Sequence, residues 1–221
     1  MEKPLYFDIG SLYGCDSAYA LSRGFSVVTV EANPSLIPQL SRKFAREIVD
    51  DKLELIHRAI VPECYDKPTV FLNVNADHPE WSSCIRWWGR KPIEIATIKI
   101  SELYNEYGVP DVLKMDVESM ESSLINGIKD FPQRPRLIIT ELSHASLFPL
   151  LQAMGYTKFR LSNQNNRTTN GWEKYPHGED GSGPFYDELT IPWKTASECM
   201  QELDTLDKAN FWCDLHATGG E

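Results

Sequence analysis

Residues 5–14 read Leu-Tyr-Phe-Asp-Ile-Gly-Ser-Leu-Tyr-Gly, an apolar run that leads into two glycines four positions apart. This pattern predicts a short buried strand followed by a turn. The next segment, 14–23, is typical of a helix that ends at Gly24. Residues 25–30, rich in β-branched side chains, predict a second strand. The fold therefore begins with a strand, a helix and a strand.

The same alternation continues along the chain. Further strands are expected at 53–61, 69–74, 93–100, 111–116, 136–142, 156–161 and 186–191, and helices at 34–49, 119–127, 145–154 and 196–209. Apolar strands that alternate with helices predict a parallel sheet covered on both faces. A length of 221 residues favours a single domain over 1–221, with the core motifs in 5–160 and a strand, a polar loop and an acidic tail in 161–221.

Composition limits the classes of partner. The chain has 22 Lys and Arg against 32 Asp and Glu, a formal charge of −10, which disfavours nucleic acid as the main partner. No segment approaches the ~20 apolar residues of a membrane span. Five scattered cysteines without a CxxC pair predict reduced thiols and no metal site. We therefore expect a cytoplasmic protein.

The ends of the first two strands predict a cofactor site, because ligands bind beyond the carboxyl ends of strands in open α/β sheets. Gly10 and Gly14 let the backbone approach a ligand closely. Glu31 is placed to accept hydrogen bonds from ribose hydroxyls. Together they indicate an adenosine-containing cofactor. NAD is disfavoured, since Leu12 and Cys15 occupy the second and third glycine positions of the nicotinamide fingerprint.

These pieces, in this order, resemble the FkbM-type methyltransferases. The similarity is carried by 7–10 (Phe-Asp-Ile-Gly), 30–34 (Val-Glu-Ala-Asn-Pro), 113–118 (Leu-Lys-Met-Asp-Val-Glu) and 136–142 (Arg-Leu-Ile-Ile-Thr-Glu-Leu), and it covers about residues 5–160. The resemblance implies a Rossmann-like class I methyltransferase fold, with a central, mostly parallel seven-stranded sheet and helices on both faces. It also implies S-adenosylmethionine as cofactor and methylation of a hydroxyl on a sugar, polyketide or related natural product.

Three positions depart from the family pattern. Ser11-Leu12 stands where the family usually has Ala-Asn, so hydrogen bonds to the methionine end of the cofactor are expected from the backbone or from Ser11. Ser119 replaces the usual glycine after the Asp-Val-Glu run. The histidine often found two residues after the strand-end glutamate is displaced by one position, to His144.

The resemblance also implies roles for particular residues. Asp8, Asp116 and Glu141 are expected to line the mouth of the site, where negative charge stabilises a sulfonium. The expected cofactor-binding residues are Asp8, Gly10, Ser11, Leu12, Gly14, Glu31, Ala32, Ala59 and Asp116.

A hydroxyl acceptor must lose a proton, which calls for a base. The candidate catalytic residues are Asp116, Glu141, Glu118 and His144, and Asp116 and Glu141 rank first because strand ends are rigidly held. A non-catalytic scaffold that binds an adenosyl cofactor is the alternative.

The acceptor is expected to be a small molecule or a glycan, and the sequence leaves the oligomeric state open. Aromatic side chains can stack on sugar or apolar faces, and an arginine can meet an anionic group. The residues expected to include acceptor contacts are Trp81, Arg86, Trp87, Trp88, Trp172, Tyr175, His177 and Trp212.

Overall fold

The computed structural model describes residues 3–75, 77–85, 92–165, 170–172, 175, 181–205 and 212–219. Within them lie ten strands: β1 Leu5–Ile9, β2 Ser26–Glu31, β3 Leu53–His57, β4 Ala59–Ile60, β5 Thr69–Leu72, β6 Ile93–Ile98, β7 Val112–Met115, β8 Leu137–Glu141, β9 Tyr156–Asn163 and β10 Cys213–Gly219. The α-helices there are α1 Cys15–Ser22, α2 Ile37–Lys43, α3 Ala45–Val49, α4 Ile100–Tyr107, α5 Glu121–Ile128, α6 Leu147–Ala153 and α7 Ala196–Thr205. In these segments, no helix has both the length and the apolar character needed to cross a membrane.

The main sheet has seven strands in the order β3-β2-β1-β7-β8-β10-β9. The first five of these are parallel, and β10 runs antiparallel to both of its neighbours. Phe7 of the central strand pairs with Val28 on one side and with Leu113 on the other. The expected seven-stranded, mostly parallel sheet is therefore confirmed.

Successive side chains along each strand point to opposite faces of the sheet, so the sheet packs against two hydrophobic cores. Phe7 and Leu113 pack with Leu124 of α5 and Phe148 of α6 on one face. On the other face, Tyr6, Val112 and Leu137 belong to a separate cluster that includes residues of α1 and α2. Both faces of the sheet are thus covered by helices, as the apolar strands predict.

A small second sheet, in the order β4-β6-β5, stands beside the main one. The single strand expected at 53–61 is therefore wrong: it divides at Arg58 into β3 and β4. The division occurs because Ala59 and Ile60 pair with Thr97 and Ile98 of β6 instead of continuing along β2. This change of sheet brings Ala59 to the carboxyl edge of the main sheet.

The segment after β2 differs from the single helix expected at 34–49. The first helix begins at Ile37, and α2 and α3 are separated at Phe44. The Asn33 side chain accepts hydrogen bonds from the backbone N–H and the hydroxyl of Ser35 at 3.1 and 2.7 Å, so it closes a local turn and does not cap a helix.

The expected strand at 186–191 is also wrong. Residues Tyr186–Glu188 form a 3₁₀ turn, and the seventh strand of the sheet is β10, which lies within the expected acidic tail. Asp214 and His216 alternate along β10 with Leu215 and Ala217, and all four are buried. Because two of these buried residues are polar, the hydrophobicity pattern does not indicate a strand here.

The Lys114 side chain lies beneath the carboxyl edge of the sheet and is only 3% exposed. Its ammonium nitrogen is 3.3 Å from Asp8 Oδ1 and 3.5 Å from Asp16 Oδ2, and it donates a 2.9 Å hydrogen bond to the Gly10 carbonyl. Burial alone would lower the pKa of Lys114, but Asp8 and Asp16 outweigh it and raise that pKa. The ammonium group of Lys114 therefore connects β1, β7 and the start of α1.

We predict that Lys114→Met lowers the free energy of unfolding by about 3–5 kcal/mol, because it leaves the buried carboxylates of Asp8 and Asp16 without a compensating cation. Denaturant unfolding followed by circular dichroism measures this loss. The control, Lys129→Met, changes an exposed lysine after α5 and should leave stability nearly unchanged. A loss no larger than that of the control would contradict the assignment.

Candidate active site

A cleft lies beyond the carboxyl ends of β1, β2 and β7. It encloses about 680 Å³ of empty space, which includes solvent at its mouth. Six of the nine residues expected to bind the cofactor line it: Gly10, Leu12, Glu31, Ala32, Ala59 and Asp116.

Gly10 allows the strand ends to come together. Its φ of 76° lies in the left-handed region, and a Cβ there would stand 1.9 Å from the carbonyl oxygen of Asp116. The Gly10 N–H donates to the Val30 carbonyl at 2.9 Å, and the Asp116 N–H donates to the Ile9 carbonyl at 3.0 Å. Only glycine fits a backbone held this closely on both sides.

Glu31 has a fixed orientation at the end of β2. Its Oε2 accepts a hydrogen bond from the Leu12 N–H at 2.9 Å, and its Oε1 accepts one from the Asn33 N–H at 2.7 Å. Burial raises the pKa of Glu31 to about 7, although these two bonds act in the opposite direction. The carboxylate is thus oriented and largely desolvated at the cleft wall.

The other three expected cofactor residues do not line the cleft. Asp8 is fully buried: its Oδ2 accepts hydrogen bonds from the N–H and hydroxyl of Ser17, and its Oδ1 faces Lys114. The structure therefore places Asp8 beneath the cleft and not at its mouth. Ser11 is buried, and its hydroxyl has no partner among the described residues. Gly14 packs against α2, where a Cβ would meet the Phe44 ring at 2.6 Å.

Three acids meet beside the cleft. The carboxylates of Asp116, Glu118 and Glu141 each offer an oxygen, and these atoms lie within 4.8 Å of one another. Asp116 and Glu118 line the cleft itself. Burial raises the pKa of Glu141 to about 8, and repulsion from Asp116 and Glu118 adds to the shift. Such a group can take up a proton near neutral pH, and the three oxygens are also close enough to share one hard cation.

His144 does not join these acids. It is exposed at the start of α6, where its Nδ1 accepts a 3.1 Å hydrogen bond from the Ser146 N–H, and it is absent from the cleft wall. Glu121 is buried, and its carboxylate accepts bonds from the Val117 N–H and the Ser143 hydroxyl. It links the loop after β7 to the loop after β8.

Two departures from the family pattern fall at unusual backbone positions. Leu12 has a φ of 51° and Ser119 a φ of 77°, both in the region that favours glycine. At Leu12 this conformation accompanies the hydrogen bond from its N–H to Glu31. At Ser119 it accompanies the turn that leads from Glu118 into α5.

The buried part of the site was not predicted from the sequence. Asp16 accepts hydrogen bonds from the Ser182 N–H at 2.9 and 3.0 Å and from the Tyr175 hydroxyl at 2.9 Å, which ties the C-terminal segment to α1. Asp214 of β10 accepts one from Gln164, and burial raises its pKa to about 8. The one visible signal was Lys114, a charged residue within an otherwise apolar strand.

The aromatic residues expected at the acceptor separate into two groups. Trp81 and Trp212 are exposed. Trp81, which is 44% exposed, stacks on His78 with the ring centres 4.1 Å apart, and the next residue, Ser82, lines the cleft. Trp172 and Tyr175 are packed in the core, so their expected acceptor contact is not supported. The remaining candidates, Arg86, Trp87, Trp88 and His177, lie outside the described residues.

Several solved structures have a similar fold at low sequence identity. The precorrin-6y C5,15-methyltransferase from Geobacter metallireducens GS-15 has a TM-score of 0.48 and 9% identity, over 100% of this chain and 82% of that one. The METTL16 methyltransferase domain gives 0.49 and 9%, over 100% and 61%. A 1,6-didemethyltoxoflavin-N1-methyltransferase from Burkholderia thailandensis, with S-adenosylhomocysteine bound, gives 0.43 and 10%, over 100% and 72%.

The strand order, with one antiparallel strand near the edge, defines the class I methyltransferase fold. The model of the methyltransferase FkbM domain matches residues 8–161, so the chain belongs to that family. No curated protein matches the sequence. The chain is an S-adenosylmethionine-dependent methyltransferase, and the expected family, fold class and cofactor are confirmed.

The cleft residues fit this cofactor. Gly10 contributes backbone without a side chain to the cleft wall, and Glu31 presents an oriented carboxylate where a ribose diol could donate hydrogen bonds. Acidic side chains at the other end of the cleft, Asp116 and Glu118, suit a positively charged sulfur.

We predict that affinity for S-adenosylhomocysteine rises between about pH 6 and pH 8, because Glu31, with a pKa of about 7, accepts two ribose hydroxyls best when ionised. Glu31→Gln should weaken binding at the upper pH by about 1–3 kcal/mol and abolish the rise. Calorimetry at several pH values measures both effects. The exposed Glu54→Gln serves as the control, and an unchanged pH profile in Glu31→Gln would remove Glu31 from the ribose site.

Proposed function

We propose that this chain methylates a hydroxyl oxygen on a sugar, polyketide or related natural product. The observation that carries the proposal is the group of Asp116, Glu118 and Glu141 beside the cofactor cleft, with carboxylate oxygens within 4.8 Å of one another. A hydroxyl is a weak nucleophile until its proton is removed, whereas a neutral amine needs no such step. A base with a raised pKa suits that task near neutral pH.

Different residues around the cleft would hold different parts of the cofactor. Glu31 would accept hydrogen bonds from the ribose hydroxyls, and Ala32 and Ala59, which also line the cleft, would border the adenine ring. The backbone of Gly10 and Leu12, which lines the cleft, would face the methionine carboxylate. When bound, S-adenosylmethionine supplies an electrophilic methyl group on a positively charged sulfur. Asp116, at the end of β7, adds a negative charge at that side of the cleft.

We assign the base to Glu141, whose carboxylate lies within 4.8 Å of those of Asp116 and Glu118 at the cleft wall. It is half-buried at the end of β8, and burial together with Asp116 and Glu118 raises its pKa to about 8. Its role would be to take the proton of the acceptor hydroxyl, which makes that oxygen a stronger nucleophile. Uptake of that proton also relieves repulsion among the three carboxylates, which favours the step.

The segment after β5 forms the opposite wall of the cleft. Ser82, Ser83 and Cys84 line it, and the Ser83 hydroxyl lies 3.4 Å from the Glu118 carbonyl. The exposed Trp81 ring extends from the same segment. Hydroxyls beside an aromatic ring suit a polyhydroxylated acceptor with an apolar face.

We predict that Glu141→Gln lowers the single-turnover rate by about 10²–10⁴-fold at saturating cofactor and leaves cofactor affinity nearly unchanged. The wild-type rate should rise with pH through about 8, since the base must be ionised. Asp116→Asn should reduce both the rate and the cofactor affinity, because its charge faces the cleft.

The readout is methyl transfer from labelled S-adenosylmethionine to a panel of glycosides and polyketides, followed by mass spectrometry. His144→Ala serves as the control and should keep the wild-type rate. A full rate in Glu141→Gln would overturn the assignment of the base. Binding of the cofactor without transfer to any hydroxyl would favour the non-catalytic scaffold.

A further inference from the structure

A second groove lies at the opposite edge of the main sheet, near the start of β8 and the end of β10. Arg134, Arg136 and Lys158 line it. In the part of the chain that the structure describes, their side chains make no salt bridge or hydrogen bond. Three unpaired cations in one groove are notable in a chain with a net charge of −10.

The segment that carries the two arginines is held in place. The Tyr156 hydroxyl donates to the Pro135 carbonyl at 2.7 Å, and the Thr218 hydroxyl donates to the Arg136 carbonyl at 2.8 Å. A Cβ on Gly155 would stand 3.0 Å from the Arg134 guanidinium, so the glycine gives that group room to lie against the backbone.

The aromatic walls of the groove are also fixed, by one buried residue. Arg160 is 1% exposed, and its Nη1 donates to the carbonyls of Tyr186 and Leu189, both at 2.9 Å. Its guanidinium carbon lies 4.2 Å from the centre of the Trp193 ring. Tyr186 and Trp193 line the groove and are therefore preorganised.

We propose that this groove binds an acidic oligosaccharide, a glycan whose sugars carry carboxylate groups. Guanidinium groups pair bidentately with carboxylates, and aromatic rings pack on the apolar faces of sugars. Asp187, which also lines the groove, can accept hydrogen bonds from sugar hydroxyls.

The same features disfavour a nucleic acid. A nucleic-acid strand carries a phosphate at every nucleotide, and beyond three cations it would meet a surface with an excess of acids. A DNA backbone offers Asp187 no sugar hydroxyl, whereas every sugar of a glycan offers hydroxyls that can donate hydrogen bonds to this carboxylate. The site is separate from the methyl-transfer cleft and does not depend on the acceptor of that reaction.

Calorimetry with the full chain tests the proposal, with hexagalacturonate as the probe and uncharged maltohexaose and a six-nucleotide single-stranded DNA as comparisons. We expect hexagalacturonate to bind about tenfold or more tightly than either comparison ligand. The triple variant R134Q/R136Q/K158Q should lose about tenfold or more of that affinity. Trp193→Ala should weaken it without altering its salt dependence.

The control variant R42Q/R46Q/K129Q removes three exposed cations elsewhere and should keep wild-type affinity. Equal losses in the two triple variants would show non-specific attraction and overturn the proposal. Tighter binding of the DNA, or no binding of hexagalacturonate, would overturn it as well. Cofactor affinity, measured in parallel, should stay at the wild-type value in both triple variants, which separates this site from the active site.

Discussion

The buried ammonium group of Lys114 is the constraint on which the arrangement of the active site depends. A charge with this little exposure is tolerated only with close partners, and Asp8 and Asp16 lie within 3.3 and 3.5 Å of it. The same nitrogen binds the Gly10 carbonyl and so fixes the loop after β1. That loop presents the Leu12 N–H, which orients Glu31 in the cleft. One ion cluster thus sets the shape of the cofactor site.

The acids at the sheet edge lie at different distances from this cation. Asp8 and Asp16 are close to it, whereas Asp116 lies at 4.0 Å, at the limit of an ion pair. Burial and mutual repulsion raise the pKa values of Glu141 and Asp214 to about 8. An excess of acids around a single cation therefore creates groups that take up protons readily, which is what the proposed reaction requires.

The sequence was most informative where the hydrophobic pattern is simple. The strand at 5–9 could be predicted from its apolar residues. The positions of Glu31, Asp116 and Glu141 could be predicted because each acid stands at the end of an apolar run that is typical of a strand. The strand β10 could not, since Asp214 and His216 are polar and buried. The position of Asp8 was also unpredictable: a strand-end acid faces either the cleft or the interior, and only the contact with Lys114 decides which. The division at Arg58 depends on pairing with β6, more than thirty residues further along the chain.

The most direct test of the account is a crystal structure of the chain with S-adenosylhomocysteine bound. We expect ribose hydroxyls within hydrogen-bond distance of the Glu31 carboxylate, with the sulfur on the side of the cleft that holds Asp116, Glu118 and Glu141. We also expect Asp8 to stay paired with Lys114 and to make no contact with the cofactor. A ribose bound away from Glu31, or a sulfur directed away from the three acids, would contradict it.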